Sequence, residues 1–294
     1  MGMANTAMAN GSGERRDDNI LLAFQVITDT HVRADARHTY NVNLEKALQD
    51  IATHARSAGV MHVGDVTDHG FPEEYEEWKR IWRQQGDSLP PLYMTMGNHD
   101  VGLGNWDERL CRFLNETGTE SAYHDHWIDG YHFIFLGTEA GLEICCSLSE
   151  QQLAWLDAKL GENAAVDRPV FLFLHQPLKN TVAGSYEEQK WYGVVQDAEL
   201  RAVLARHPQT ILFTGHTHWE LEAPNNYFTG QGELPAMFNA ASVAYLWTDE
   251  DEHKDGSQGY YVEVYKDHVS VRGRDFTRGE WIEAARFQVN FPRK

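Results

Sequence analysis

Pro91-Leu92-Tyr93-Met94-Thr95-Met96 runs into Gly97-Asn98-His99-Asp100. The first six residues form an apolar run of strand length, and the next four change character abruptly. A strand that ends in glycine and then presents Asn, His and Asp places three different chemistries at one sheet edge. An amide oxygen can bind a hard metal, an imidazole can move a proton, and a carboxylate can hold that imidazole in one tautomer. A plain polar turn is the alternative, and the rest of the chain has to decide.

Upstream, the same design occurs twice. Leu21 to Ile27 is an apolar run that stops at Thr28-Asp29-Thr30-His31. The spacing then predicts a helix from Asn43 to Arg56, with Leu44, Ala47, Leu48, Ile51 and Ala55 on one face. Val60 to Val63 is a short strand that leads into Gly64-Asp65-Val66-Thr67-Asp68-His69-Gly70, and Phe71 to Gln85 reads as a helix with Pro72 in its first turn. Alternating strands and helices predict βαβ units and a largely parallel sheet, with ligands beyond the carboxyl ends of the strands.

Downstream, Trp106 to Asn115 reads as a helix. Ser121–Trp127 and Tyr131–Gly137 read as strands joined by Asp129-Gly130. Ser149-Glu150-Gln151-Gln152 is a capping box. Pro169 to Leu174 is a buried strand ending at His175-Gln176-Pro177. A helix is expected from Asp197 to Arg206. Gln209 to Phe213 is a strand ending at Thr214-Gly215-His216-Thr217-His218. Strands then dominate: Ala236–Ala241, Tyr260–Tyr265, His268–Arg272 and Trp281–Phe291. The strands after residue 255 are expected either to close the second sheet or to form a dimer edge. Asp249 to Asp255 is expected to be a solvated acidic loop. The simplest account is one α/β domain over residues 20–294, two facing sheets with helices outside, preceded by a disordered leader over 1–19.

Composition limits function. The chain has 294 residues with 25 Lys plus Arg against 44 Asp plus Glu, a formal net charge of −19. Such a surface disfavours general nucleic-acid or anionic-membrane binding. Cys111, Cys145 and Cys146 are odd in number and form no CxxC pair, which suits reduced thiols in a cytoplasmic protein. No stretch approaches a membrane span, and the first residues lack the features of a signal peptide.

Five polar stretches thus stand after strands: Asp29-x-His31, Asp65-x-x-Asp68, Asn98-His99-Asp100, His175 and His216-x-His218. Residues two apart on an extended chain face the same way, so Asp29 with His31, and His216 with His218, are expected to converge. Imidazole, carboxylate and one amide oxygen, without thiolate, suit Fe, Mn, Zn, Co or Ni. There are more ligands than one ion needs. Two ions about 3.5–4 Å apart, sharing a carboxylate, are typical of phosphate-ester hydrolases.

The order DTH, GDVTD, GNHD, H, GHTH resembles the calcineurin-like metallophosphoesterases over Asp29 to His218, about two-thirds of the chain. The resemblance implies a four-layer α-β-β-α sandwich of two mixed sheets flanked by helices, and two transition-metal ions, Fe and Mn foremost. Carried over, Asp29, His31 and His218 would bind one ion, Asn98, His175 and His216 the other, and Asp65 would bridge. His99 would protonate the leaving oxygen during in-line attack by a metal-bound hydroxide, Asp100 would orient His99, and Asp68 would hold a ligand or a loop. The compact spacing and GDVTDHG are similar to the bacterial class III cyclic-nucleotide phosphodiesterases. This implies a small phosphodiester substrate, with 3′,5′-cyclic nucleotides as candidates. Gln176 departs from that pattern, since many such relatives carry a second His there. His69, Tyr245 and Trp247 are candidate substrate contacts, and Tyr123, His124, His126 and the loop Lys179–Gly193 candidate walls. The alternatives are a phosphomonoesterase of the same fold and a non-catalytic scaffold, as in a related retromer subunit that lacks the proton-donating His.

Overall fold

A computed structural model describes residues 19–53 and 57–293. The expected leader falls outside these residues except for Asn19, and so does Ala55. In chain order the elements are β1 (Leu22–Ile27), α1 (Thr39–Thr53), β2 (Val60–Val63), α2 (Pro72–Gln84), β3 (Leu92–Thr95), a short α3 (Asn98–Val101), α4 (Trp106–Thr117), β4 (His124–Ile128), β5 (Tyr131–Phe135) and α5 (Glu150–Gly161). They continue with β6 (Val170–Phe173), α6 (Asp197–Leu204), β7 (Thr210–Thr214), β8 (Tyr227–Phe228), β9 (Ala236–Asn239), β10 (Leu246–Trp247), β11 (His253–Lys254), β12 (Gln258–Val264), β13 (His268–Asp275) and β14 (Glu280–Asn290).

Two six-stranded sheets result, in the orders β14-β13-β12-β1-β2-β3 and β4-β5-β6-β7-β9-β8. Each mixes parallel and antiparallel neighbours: β1, β2 and β3 run parallel while β12 lies antiparallel to β1. In the second sheet β5, β6, β7 and β9 are parallel, with β4 and β8 antiparallel at the edges.

Alternation of side chains explains why the sheets stack. In β6, Phe171 and Phe173 face the other sheet, whereas Val170 and Leu172 face helices α5 and α6. Phe24 of β1 sits at the centre of the sheet–sheet layer, edge-on to Phe133 (5.1 Å) and Phe171 (4.8 Å). A third cluster joins the outer face of the first sheet to α1, α2 and α4 through Leu48, Tyr75, Ile81 and Phe113. The layers are therefore helix, sheet, sheet, helix.

Asp129 (φ 49°) and Gly130 (φ 81°) turn β4 into β5, the left-handed pair that a two-residue hairpin requires. The Ser149 side chain accepts the Gln152 backbone N–H at the start of α5. Three expectations are corrected. Asn98 to Asp100 are not a turn but the first residues of the short helix α3. The strands after residue 255 do not close the second sheet; β12 pairs with β1, and β13 and β14 widen the first sheet. Part of the acidic run is ordered, because His253–Lys254 pairs with Leu246–Trp247 while Asp249 to Glu252 are exposed.

Candidate active site

The ends of β1, β2, β3, β6 and β7 meet at one point. Asp29 and His31 follow β1, Asp65 follows β2, Asn98 follows β3, His175 follows β6, and His216 and His218 follow β7. Both sheets thus contribute. All seven side chains are buried.

Convergence does not arise as the extended-chain argument expects. Asp29 (φ 52°), His31 (φ 42°), Asp65 (φ 52°), His216 (φ 70°) and His218 (φ 59°) are all left-handed. A non-glycine residue held there costs about 1–3 kcal/mol and persists only where its surroundings impose it. Five such residues in one place identify the region as built for chemistry. Gly97 supplies the close approach, since a Cβ there would collide with the Asp65 carboxylate and backbone.

Two carboxylate-histidine groups form. Asp29, His31 and His218 lie together, and Asp65, His175 and His216 form the second group. His218 Nε2 is 2.9 Å from Asp29 Oδ1, and His175 Nε2 is 3.2 Å from Asp65 Oδ2. The same Asp65 oxygen is 3.7 Å from His31 Nε2, so Asp65 faces both groups.

The tautomers decide what the site can hold. Val63 O and Tyr245 O are 2.7 Å and 3.2 Å from Nδ1 of His175 and His218. A carbonyl only accepts, so both Nδ1 atoms carry the proton and both Nε2 atoms turn a lone pair inward. His31 Nδ1 is likewise held by Asp68 Oδ1 at 3.1 Å, and its Nε2 faces His218 Nε2 at 3.1 Å. Two lone pairs at that distance repel unless a cation or proton lies between them. Asp29 Oδ1, His175 Nε2 and His216 Nε2 are buried without a hydrogen bond. This is a donor set that fits bound cations.

Charge tells the same story. Burial acts to lower the His31 ring, but the carboxylates of Asp29 and Asp68 outweigh it and raise it to about 10. Burial is likewise outweighed at His175, which Asp65 and Asp29 raise to about 9. His216 is pushed down to about 3 by burial and by His175. Against their burial, Asp29 and Asp65 are held well below the carboxylate range by neighbouring imidazoles. The buried carboxylates thus favour positive charge at this point, as a cation site requires.

His99 stands beside this centre, its ring 4.6 Å from that of His31. Its backbone N–H donates to Asp65 Oδ1 (2.8 Å), and its Nδ1 donates to the Asp68 carbonyl (2.7 Å). That leaves Nε2 as the working nitrogen. Asp100 is corrected here: its carboxylate does not orient His99. It accepts the backbone N–H groups of Val66, Thr67 and Gly97 and the Thr67 hydroxyl, tying the three loops together. Burial and the Asp65 carboxylate raise it to about 6. The Asp68 carboxylate instead holds His31, and also takes Arg33 at 2.6 Å.

A cleft of about 380 Å³ opens over the centre. Asp65, Asn98, His99, His216 and His218 line it together with the candidate substrate contacts His69, Tyr245 and Trp247. Leu103, Glu143, Ile144, Trp191 and Thr217 complete it. Leu103, Glu143 and Ile144 follow no strand, and no local signal marked them. Tyr123, His124 and His126 are elsewhere: Tyr123 packs on Trp155, and His124 Nε2 meets the Met94 carbonyl at 3.0 Å. Gln176 Nε2 donates to Asn98 Oδ1 and to the Ile144 carbonyl, both at 3.3 Å, bracing the amide ligand candidate.

The sequence profile described as Calcineurin-like phosphoesterase matches residues 23–220. A probable glycerophosphodiester phosphodiesterase of Arcobacter nitrofigilis is 29% identical over 161 residues, 51% of this chain and 55% of that protein. The chain therefore spans little more than half of that relative. A probable cyclic nucleotide phosphodiesterase of Synechococcus sp. is 28% identical over 257 residues, 82% of this chain and 91% of the other. Among solved structures, the purple acid phosphatase of yellow lupin superposes with a TM-score of 0.65 at 13% identity, covering 92% of this chain and 53% of that one. That likeness is one of fold.

Proposed function

The chain belongs to the calcineurin-like phosphoesterase family, and from that premise we propose that it is a two-metal phosphodiesterase acting on small organic diesters, 3′,5′-cyclic nucleotides among them. Asp29, His31 and His218 would hold one ion and Asn98, His175 and His216 the other, with Asp65 shared. Fe and Mn suit this set of nitrogen and oxygen donors best, and Zn, Co or Ni also match it. Bound there, the ions would supply Lewis-acid stabilisation of phosphoryl charge and lower the pKa of water.

The chain's own residues do the rest. His99, fixed through Nδ1 by the Asp68 carbonyl, presents Nε2 to the cleft and gives a proton to the departing oxygen. The Asp65 carboxylate, held by the His99 N–H, keeps that ring registered against the metal centre. Gln176 and the Glu143 carbonyl fix the Asn98 amide.

One observation favours a diester over a monoester. The described cleft lining contains no Lys or Arg, has Glu143 at its rim, and offers Leu103, Ile144, Trp191, Tyr245 and Trp247 as apolar wall. A monoester dianion brings a second negative charge that no Lys or Arg of this lining meets, whereas a diester carries one charge and a second organic group to place on the walls. The cyclic-nucleotide and glycerophosphodiester relatives support this reading, and the full donor set speaks against the scaffold alternative. The unpaired cysteines favour a reducing, cytoplasmic setting. Rates on bis-p-nitrophenyl phosphate, p-nitrophenyl phosphate and a cyclic-nucleotide panel with added Mn test it: diesters should lead, and faster turnover of the monoester overturns it.

A further inference from the structure

His69 is half-exposed on the cleft wall, yet it is held from every side. Asp68 Oδ2 and Glu74 Oε1 lie 3.1 Å and 3.0 Å from its Nδ1. Both carboxylates are largely buried. Its backbone N–H donates to Glu74 Oε2 (2.9 Å), and its carbonyl accepts from Arg109. The ring lies flat on Phe71, 5.5 Å between centroids and 12° between planes.

The cluster of Asp68, His69 and Glu74 resembles a cation site, but its oxygens are already engaged. Asp68 Oδ1 takes His31 and Oδ2 takes Arg33. Glu74 Oε2 takes the N–H groups of His69 and Phe71, the latter capping α2. What these groups accomplish is to fix the imidazole. Carboxylates only accept when ionised, so Nδ1 carries the proton and Nε2 is left for the cleft. A helix cap needs Glu74 and the backbone; it does not need this ring.

The side of the cleft follows from the chain. The Asp68 carbonyl holds His99, and the very next residue is His69. Both rings are therefore tied to one dipeptide, His69 as part of it and His99 by that hydrogen bond, and on the reading above His99 marks the leaving-group side. Asp68 and Glu74 hold the ring and Glu143 lines the same cleft; Arg33 is engaged by Asp68 and Arg109 by the His69 and Leu103 carbonyls, and no Lys or Arg lines the cleft to receive an anionic oxygen. A hydroxyl suits Nε2 in either protonation state, since it donates to a bare nitrogen and accepts from N–H. We infer that His69 is a specificity-determining contact that receives a hydroxyl of the leaving alcohol, selecting diesters of polyols or sugars. This rests on the phosphodiesterase reading above.

Symmetric diesters make the test clean, because either side leaves the same alcohol. His69→Ala should lower kcat/KM for bis(glyceryl) phosphate about tenfold more than for bis(p-nitrophenyl) phosphate, chiefly through KM. His69→Gln should recover part of the loss, with metal content unchanged throughout. Equal loss on both diesters, or loss on neither, overturns the inference. A second readout does not need turnover: in the zinc-loaded chain, bis(glyceryl) phosphate should shift the His69 Nε2 nitrogen resonance, and an unmoved resonance overturns the inference. Failure of the unmodified chain to cleave either diester would overturn the phosphodiesterase reading alone.

Discussion

Asp65 faces both halves of the centre through one oxygen, and its neighbours show why amidation would be felt by both. Asp65→Asn removes the charge that His31 and His175 face. The variant should bind both ions more weakly, which metal analysis after gel filtration would show as less than two ions per chain; full content with full rate would refute the shared role. Asp100 makes a contrasting case. It accepts three backbone N–H groups and a hydroxyl in a buried site, so Asp100→Ala leaves several donors unpaired. A loss of roughly 2–4 kcal/mol in unfolding free energy is expected from denaturant titration. The residues that gather at the candidate centre were legible in the sequence, because metal and proton chemistry need particular side chains and those types stood after the strands. The partner of His99 was not, since a main-chain carbonyl leaves no letter, and the neighbouring Asp100 was the only group the sequence offered.

At the scale of elements, the βαβ alternation announced itself through apolar runs that end in polar residues, and most strand limits follow those runs. What the runs could not show was how the strand ends bend. Left-handed φ at Asp29, His31, Asp65, His216 and His218 is imposed by the loops packed around them, not by local preference. The two-residue strands β8, β10 and β11 were equally silent, being too short for any period. The β4–β5 hairpin carries its own prediction. His124 is partly buried against the Met94 carbonyl and beside His126, and burial pushes it down to about 4. Unfolding returns it to an ordinary histidine value of about 6.5. The folded state therefore keeps His124 neutral where the unfolded chain takes up a proton, and this stabilisation, complete above pH 6.5, is lost as pH falls toward 4. Its size is on the order of 2–3 kcal/mol. His124→Gln should flatten the pH dependence of unfolding between those limits; an unchanged slope would remove His124 as its cause.

The whole molecule is two sheets that share a phenylalanine-rich layer and meet again at the candidate metal centre. Asp29, His31, Asp65 and Asn98 come from the first sheet, and His175, His216 and His218 from the second. Metal ions bound there would clamp the sheets and stabilise the folded state by mass action. Chelation by EDTA should lower Tm by several degrees, and added Mn should restore it; an unaltered Tm would mean that the centre is not filled in the folded chain. The four layers were legible because the central strands of each sheet are apolar on both faces, while the pairing of β12 with β1 was not, since it joins segments more than two hundred residues apart. The role of His99 is tested by turnover of bis-p-nitrophenyl phosphate by the unmodified chain and by His99→Ala at matched metal content. Two ions per chain in both proteins, with a loss of about 10²–10⁴-fold in kcat for the variant, is the predicted result. Equal turnover by the two proteins, or a variant that has lost its metals, would contradict it.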